Sequence, residues 1–540
     1  YDLVWVPRPP LSRRALGLDG SVPRAVPSDL VAIALSRSVP ADLAEKTVLV
    51  AIVALAVLGA HRLGRRAAGL GAVGAATASL GYAWSPYLAE RLVLGHWALL
   101  LGFAALPWAL DRAVSGQVVG ACAWTALAAA GGANAVLVCA PAVAVVLAWR
   151  SPRWRALAGY VGFCLVTALP WAVPAVVRPG GLPSDPAGVD AFAARPDSPL
   201  GALGSLLTLG GIWNGGVVPP ERHQPVVAAI TLTVVAAALV IGGPVVWRRP
   251  CGPPLIAAGV LGLLLAGASG VPVVASAVRA VVLHVPGGGV LRDAQKFLAP
   301  WVLLVALGAG AAVARAVQRL HRRAPVPARV LGALLAFTPV VALPSLVWGA
   351  GGRLRPVEYP ADWSRVRAAL DGDPIPGSVV VLPWGPYRQF AWNGFRVGLD
   401  PVQRITARDV VMDDDLPLRD RVVAGEDPRA RAVAAVLASG SDAGSGLSRS
   451  LADLGARFVV LHADAPGAVA VRTRLRGARC VVRGTSLELY ALEGPRAVRT
   501  AGAPAAAVLT GDALALLAGA GAVVVALPGA RRRRRVAASR

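Results

Sequence analysis

Residues 47–83 read TVLVAIVALAVLGAHRLGRRAAGLGAVGAATASLGYA. Two apolar runs, 47–61 and 67–83, flank a turn that carries His61, Arg62, Arg65 and Arg66. An apolar run of about 20 residues suits a helix that crosses a bilayer. Short loops rich in Lys and Arg mark the cytoplasmic side. The pattern repeats outward from this pair. Further apolar runs fall at 97–114, 117–131, 133–149, 154–177, 225–246, 253–268, 297–316, 328–349 and 503–528. The connector at 131–134 is short enough for a tight hairpin or a broken helix. Further basic groups fall at later connections: Arg150, Arg153 and Arg155; Arg248 and Arg249; Arg315, Arg319, Arg322, Arg323 and Arg329; and Arg531–Arg535 after the last run. Strict alternation puts all of them on one side. The expected fold is therefore mainly α: a polytopic transmembrane helix bundle of about 11 spans in the cytoplasmic membrane, with a cytoplasmic C-terminal tail.

Composition agrees. Of the 540 residues 56% are hydrophobic and 16% charged, against roughly 25% charged in soluble domains. A net charge of +24 would point to nucleic acid in a soluble protein. Here the arginines sit between apolar runs, so the expected partners are membrane lipids and not nucleic acid. The five cysteines are scattered, and only Cys480 falls in the large polar segment, which leaves that segment no internal disulfide. No Cys/His cluster has metal spacing. The chain opens on Tyr1 rather than Met; one further helix ahead of it is an expectation, and no cleavable signal peptide is visible.

The side opposite the basic turns receives 1–46, 84–96, 178–224, 269–296 and 350–502. Long, varied loops on one face of a scaffold read as a site. The expected organisation is a bundle over 1–349 with those outer loops, an extracytoplasmic domain over 350–502, and a final span with its tail over 503–540. In 350–502, SVVVLPW (378–384), ARFVVLHAD (456–464) and CVVRGTSLELYAL (480–492) read as strands, the last as two around a Gly-Thr turn. DPRARAVAAVLAS (427–439) and GLSRSLADLGA (446–456) read as helices, with SGSDAGSG (439–446) a loop between them. A small α/β unit follows. In 1–46, SDLVAIALSRSV predicts a short interfacial helix capped by Ser28 or Asp29.

Several polar groups stand at outer helix ends. Asp2 is placed to act as general base toward an acceptor hydroxyl; a solvated or capping acid has the same look. In SPYLAERLVLGHWALLLGF (85–103), Tyr87, Glu90, Arg91 and His96 cluster ahead of Trp97. Arg91 suits an anionic phosphate, with His96 as a second donor; interfacial anchoring suits the same residues. In HVPGGGVLRDAQKF (284–297), Arg292, Asp293 and Lys296 offer cations beside free backbone, or a local ion pair in a turn. Trp213 and Asn214 in the 178–224 loop suit a sugar face, or an ordinary polar loop. LPWGPYRQFAWNG (382–394) suits carbohydrate, or packing of the domain onto the bundle.

Taken together, the acid-bearing first outer loop, SPYLAERLVLGHW, VLRDAQKF and the C-terminal outer domain resemble polytopic glycosyltransferases of the GT-C class, most closely the arabinofuranosyl- and mannosyltransferases of actinobacterial cell-envelope assembly. The Ala/Val/Gly/Arg-heavy composition is similar to theirs. The resemblance implies a polyprenyl-phosphate-linked sugar donor, a glycan or glycolipid acceptor, and a catalytic carboxylate in the first outer loop. Asp2 matches that carboxylate by place, with Asp19 and Asp29 as reserves. It implies that Arg91, Arg292 and Lys296 face the leaving phosphate, and it allows a divalent cation without identifying ligands. Two other classes compete. A transporter or flippase carries internal repeats and mid-membrane charge, and neither stands out here. A non-catalytic scaffold would present 350–502 to a partner, with its outer charges dispersed.

Overall fold

The computed structural model describes residues 1–150, 154–178, 184–285, 287–418, 421–439, 446–496 and 504–527. Arg153, residues 440–445 of the SGSDAGSG loop and the Arg531–Arg535 run lie outside the described residues.

Among the described residues every apolar run contains helix. Among the described residues nine helices are long and apolar enough to cross a membrane: Ala41–Arg66, Trp97–Val114, Ala133–Arg150, Trp154–Val177, Pro225–Trp247, Gly252–Gly270, Ala294–His321, Pro325–Ala342 and Ala505–Ala526. The chain is a multi-pass membrane protein. Two runs expected to span fall short. Ala72–Ala83 has 12 residues and Val118–Ala130 has 13, so each rises only about 20 Å. The first is cut where Trp84 leaves helical geometry and Ser85 caps a new helix, Pro86–Leu94. Conversely, part of the expected loop 269–296 is an apolar helix, Pro272–His284, started by its proline at the first turn. The first long helix begins at Ala41, ahead of the predicted 47, and carries an Asp42–Lys46 pair one turn apart.

Ala294–His321 is the most buried span. It sits at the centre because small residues let neighbours approach. A Cβ on Gly310 would lie 2.2 Å from the Gly74 carbonyl oxygen, and one on Gly242 would lie 1.9 Å from that of Gly308. Gly242 closes a π-helical turn, Ala238–Gly242, inside its span. That wider turn brings its backbone against the central helix.

The two ends of the bundle differ in chemistry. At one end Arg62 and Arg66 pair with Asp111 at 2.8 and 3.5 Å, and the turn at Gly69 lies against Arg249. At the other end the long loops meet a sheet domain. Its five strands run in the order Val410–Val411, Ser378–Leu382, Ala456–His462, Leu487–Ala491, Arg479–Arg483. The first three are parallel and the last two join antiparallel. Ala361–Gly372 covers one face through Trp363, Val366 and Leu370. Pro428–Ala438 and Gly446–Asp453 cover the other through Ala430, Val433 and Leu451.

The N-terminal stretch belongs to this assembly. Val6 is buried in the same core as Trp363 and Phe390, and the Tyr1 carbonyl accepts from Leu399 N–H at 2.9 Å. The expected short helix is present at Ser28–Ser38, but its cap position is Pro27, and the Ser28 hydroxyl donates backward to the Ala25 carbonyl.

Candidate active site

The site is built on the helix Pro86–Leu94. Ser85 Oγ accepts from Leu88 N–H, and Pro86 opens the first turn. Both are favourable starts. Gly95 ends it at φ +92°, a left-handed cap that glycine adopts freely. The N-terminal segment presses on this glycine: a Cβ there would stand 2.2 Å from Leu3 N. Asp2 N–H donates to the Leu94 carbonyl at 2.8 Å. Asp2 is thereby laid over His96, the residue after the turn.

From the other side, two short 3-10 turns, Gly288–Leu291 and Ala294–Leu298, deliver Asp293 and Gln295 to Arg91. Arg91 is fully buried. Its Nη1 donates to Asp293 Oδ2 at 2.5 Å and to His96 Nδ1 at 3.1 Å. Its Nη2 donates to Asp293 Oδ1 at 3.0 Å and to Gln295 Oε1, and its Nε donates to Gln295 Oε1 at 3.2 Å. Every N–H of the guanidinium is taken, so the expectation that Arg91 grips a phosphate does not fit this arrangement. Arg91 positions its neighbours instead.

One of those neighbours is His96. A guanidinium can only donate, so His96 Nδ1 accepts and Nε2 carries the proton. His96 Nε2–H then donates to Asp2 Oδ2 at 3.2 Å. The second Asp2 oxygen accepts from the Tyr387 hydroxyl at 3.0 Å. Burial opposes the Asp2 charge, but the His96 contact, with help from Tyr387, holds its pKa below the ordinary 3.8. The Asp2 side chain keeps 32% of its surface exposed, while that of Arg91 keeps none. The carboxylate is the group presented outward; the guanidinium is its support.

The remaining predicted residues divide. The Tyr87 hydroxyl donates to the Lys296 carbonyl at 2.8 Å. Lys296 Nζ, fully buried, donates to Asn134 Oδ1 at 2.8 Å and to the Val290 carbonyl, so it ties the 131–134 connector to the site rather than facing a ligand. Glu90 points away from Arg91, toward the buried Arg222–Asp197 pair. Burial and then Asp197 push its carboxyl well above the usual range. Trp213 packs edge-on against Phe192 at 4.7 Å, and Asn214 Oδ1 accepts from Gly216 N–H at 2.9 Å. Both serve their own loop.

Arg292 joins a neighbouring cluster. Its Nη2 lies 3.1 Å from Glu426, a carboxylate that also meets Arg24 at 3.6 Å and Arg178 at 3.9 Å. Arg24 is half-exposed and acts electrostatically on both Glu426 and Tyr387. Tyr387, Gln295, Glu426 and Arg24 were not singled out by sequence reasoning. Tyr387 and Gln295 sit inside motifs quoted for other residues; nothing in linear spacing connects Arg24, Arg178, Arg292 and Glu426. Two aromatics of 382–394 pack within the domain: Phe390 stacks on Trp392 at 4.7 Å, beside Trp363 and Tyr359. Asp413–Asp415 accept backbone N–H groups, Asp414 from Glu426 and Asp427. Among the described residues no group of three or more His, Cys, Asp or Glu is placed to share a metal ion.

The fold is shared with a known protein. The solved structure of the arabinofuranosyltransferase AftD from Mycobacteria matches at a TM-score of 0.57 and 19% identity, covering 86% of this chain. A mutant form of AftD matches at 0.54 and 19%, covering 84%. The chain spans 35% of the length of those proteins. At the level of fold, this agrees with the resemblance drawn from the loops. No protein-family model and no curated protein matches the chain.

Proposed function

We propose that this chain is a membrane glycosyltransferase of the GT-C type, working on the outer face of the cytoplasmic membrane. It moves a sugar from a polyprenyl-phosphate donor to a cell-envelope glycan or glycolipid. One observation carries the reading. Segments far apart in sequence converge on Asp2, which combines a fixed orientation, a favoured negative charge and an open face. A scaffold has no use for such convergence. The shared fold with AftD supports the same class.

The chemistry is a displacement at the anomeric carbon. The acceptor hydroxyl oxygen bonds to that carbon as the bond to the phosphate oxygen breaks. The polyprenyl phosphate leaves with the electron pair, and the hydroxyl proton passes to Asp2. Charge growing on the phosphate needs a fixed cation. Arg24, half-exposed and held at Glu426 with Arg292 behind it, is the cation we assign. Arg91 and His96 are positioning residues: they set which imidazole nitrogen holds Asp2.

Asp2→Asn keeps the shape and removes the base. It is expected to abolish transfer from a polyprenyl-linked donor while the protein remains folded in membranes. Full activity in that variant would remove Asp2 from the mechanism. A cysteine placed at exposed Ser364 is expected to react with an impermeant reagent from outside the cell; reaction only after permeabilisation would reverse the orientation.

A further inference from the structure

Two aromatic side chains stand out from the surface on a backbone that opposes them. Trp348 is 90% exposed and Phe395 is 66% exposed. Both hold left-handed geometry, at φ +55° and +57°, which a side chain other than glycine adopts only at a cost. Single exposed apolar residues are ordinary, but these two belong to one structure. Arg396 Nη1, next to Phe395, donates to the Arg355 carbonyl at 3.5 Å, and Arg355 Nε donates to the Gly352 carbonyl at 2.8 Å, behind the left-handed turn that Trp348 opens. The first segment follows a bundle span; the second belongs to the sheet domain.

Helix ends fix the height of this rim. Pro325–Ala342 stops just before it, with Leu334, Phe337 and Val341 exposed along its last turns. The Leu343 carbonyl accepts from Trp84 Nε1 at 3.0 Å, at the end of Ala72–Ala83. The Ser345 N–H and hydroxyl donate to Glu221 at 2.6 and 2.8 Å, just ahead of the span Pro225–Trp247. The rim therefore lies where three helices end together, in line with an apolar helix face. It is also cationic. Arg353 donates to the Gly216 carbonyl, and among the described residues Arg353, Arg355 and Arg396 each meet only backbone carbonyls and no carboxylate. Glu358 is the one acid between 343 and 360, and it pairs with none of them.

Aromatic rings favour the headgroup level of a bilayer, and guanidinium groups favour lipid phosphate. A dissolved anion would leave the rings in water, and a neutral lipid would leave the three charges without a counterpart. We infer that Trp348 and Phe395, with Arg353, Arg355 and Arg396, form a seat for anionic phospholipid headgroups, on which the sheet domain rests against the leaflet. Arg353 ties the seat to Gly216, where an added Cβ would stand 2.6 Å from the Tyr1 hydroxyl. The seat thus adjoins the segment that carries Asp2 and sets its height over the lipid. The inference goes beyond the transferase reading and holds whether or not Asp2 is catalytic.

The test measures depth and needs no turnover. The full chain is placed in nanodiscs of phosphatidylcholine, with or without phosphatidylglycerol and free of polyprenyl phosphate. Trp348→Cys and Phe395→Cys, each in a Cys480→Ser background, carry an apolar nitroxide in place of the ring. With phosphatidylglycerol present, both labels are expected to collide more with oxygen than with a water-soluble nickel chelate. Changing Arg353, Arg355 and Arg396 together to Gln is expected to reverse that order at position 395, each lost arginine weakening the seat about fivefold. Thermal melting is the folding control; should the triple variant melt early, Arg355→Gln alone, at an exposed position, carries the same comparison. The seat is overturned if either label prefers the nickel chelate in the parent, if the arginine variant reads like the parent, or if phosphatidylglycerol makes no difference. Seating that appears only after polyprenyl phosphate or a second protein is added would overturn it as well, because the occupant would then not be the leaflet. Loss of transfer in Asp2→Asn bears on catalysis alone and leaves these depths unchanged.

Discussion

Asp2 is held by two donors that both prefer it charged. This has a consequence with a definite sign. Its folded pKa lies below the ordinary 3.8, so its ionised form contributes fully above that value and is lost as pH falls through the lower folded value. Tyr387→Phe deletes one donor and leaves the burial that opposes the charge. The acid limb of the pH profile of kcat/KM is therefore expected to move to higher pH in Tyr387→Phe. Coincident limbs in parent and variant would mean that the hydroxyl does not govern the Asp2 charge. At this scale the sequence was informative about identity and poor about role. Asp2, Arg91, His96 and Asp293 stand out because polar groups at the ends of apolar runs need a reason. Arg91 looked like a phosphate grip because its partner Asp293 lies 202 residues away. A guanidinium free in the sequence is spent in the fold.

Elements place these residues, and a glycine controls the placement. Gly95 combines a left-handed backbone with the passage of the N-terminal segment against it. Gly95→Ala costs about 1–2 kcal/mol in backbone strain and drives Leu3 away. Displacement of Asp2 by about 1 Å is expected to lower kcat roughly 100-fold, read in single-turnover transfer with a parallel melting curve. An unchanged kcat would show that Asp2 is placed by other contacts. Helices were legible because apolar runs at this length have few alternatives. Their ends were less so. The 67–83 run looks continuous, yet Ser85 and Pro86 offer a better start for a new helix than a continued one. Pro272–His284 was hidden because 13 residues are too few to read as a span.

For the whole molecule, the joint between bundle and sheet domain is electrostatic as well as apolar. Glu426 from the domain is shared by Arg24, Arg178 and Arg292 from three separate parts of the chain. Glu426→Gln keeps the shape and leaves these guanidinium groups facing one another. A loss of about 3 kcal/mol is expected, since a buried ion pair stripped of one partner is strongly penalised. Thermal melting measures it, and limited proteolysis is expected to cut near the joint. A variant that melts with the parent would mean the cluster is fully hydrated and holds little.

By itself, the sequence determined the membrane class, the helical bundle and the sheet unit. Those follow from local length, hydropathy and charge, which act over one helix or one turn. Tertiary structure decided everything that depends on partners: that Arg91 supports rather than grips, that Tyr387 reaches Asp2 across 385 residues, and that the first residues of the chain lie in the core of a domain near its other end. Hydrogen bonds and ion pairs act over a few ångströms of space, and distance along the chain carries no record of them.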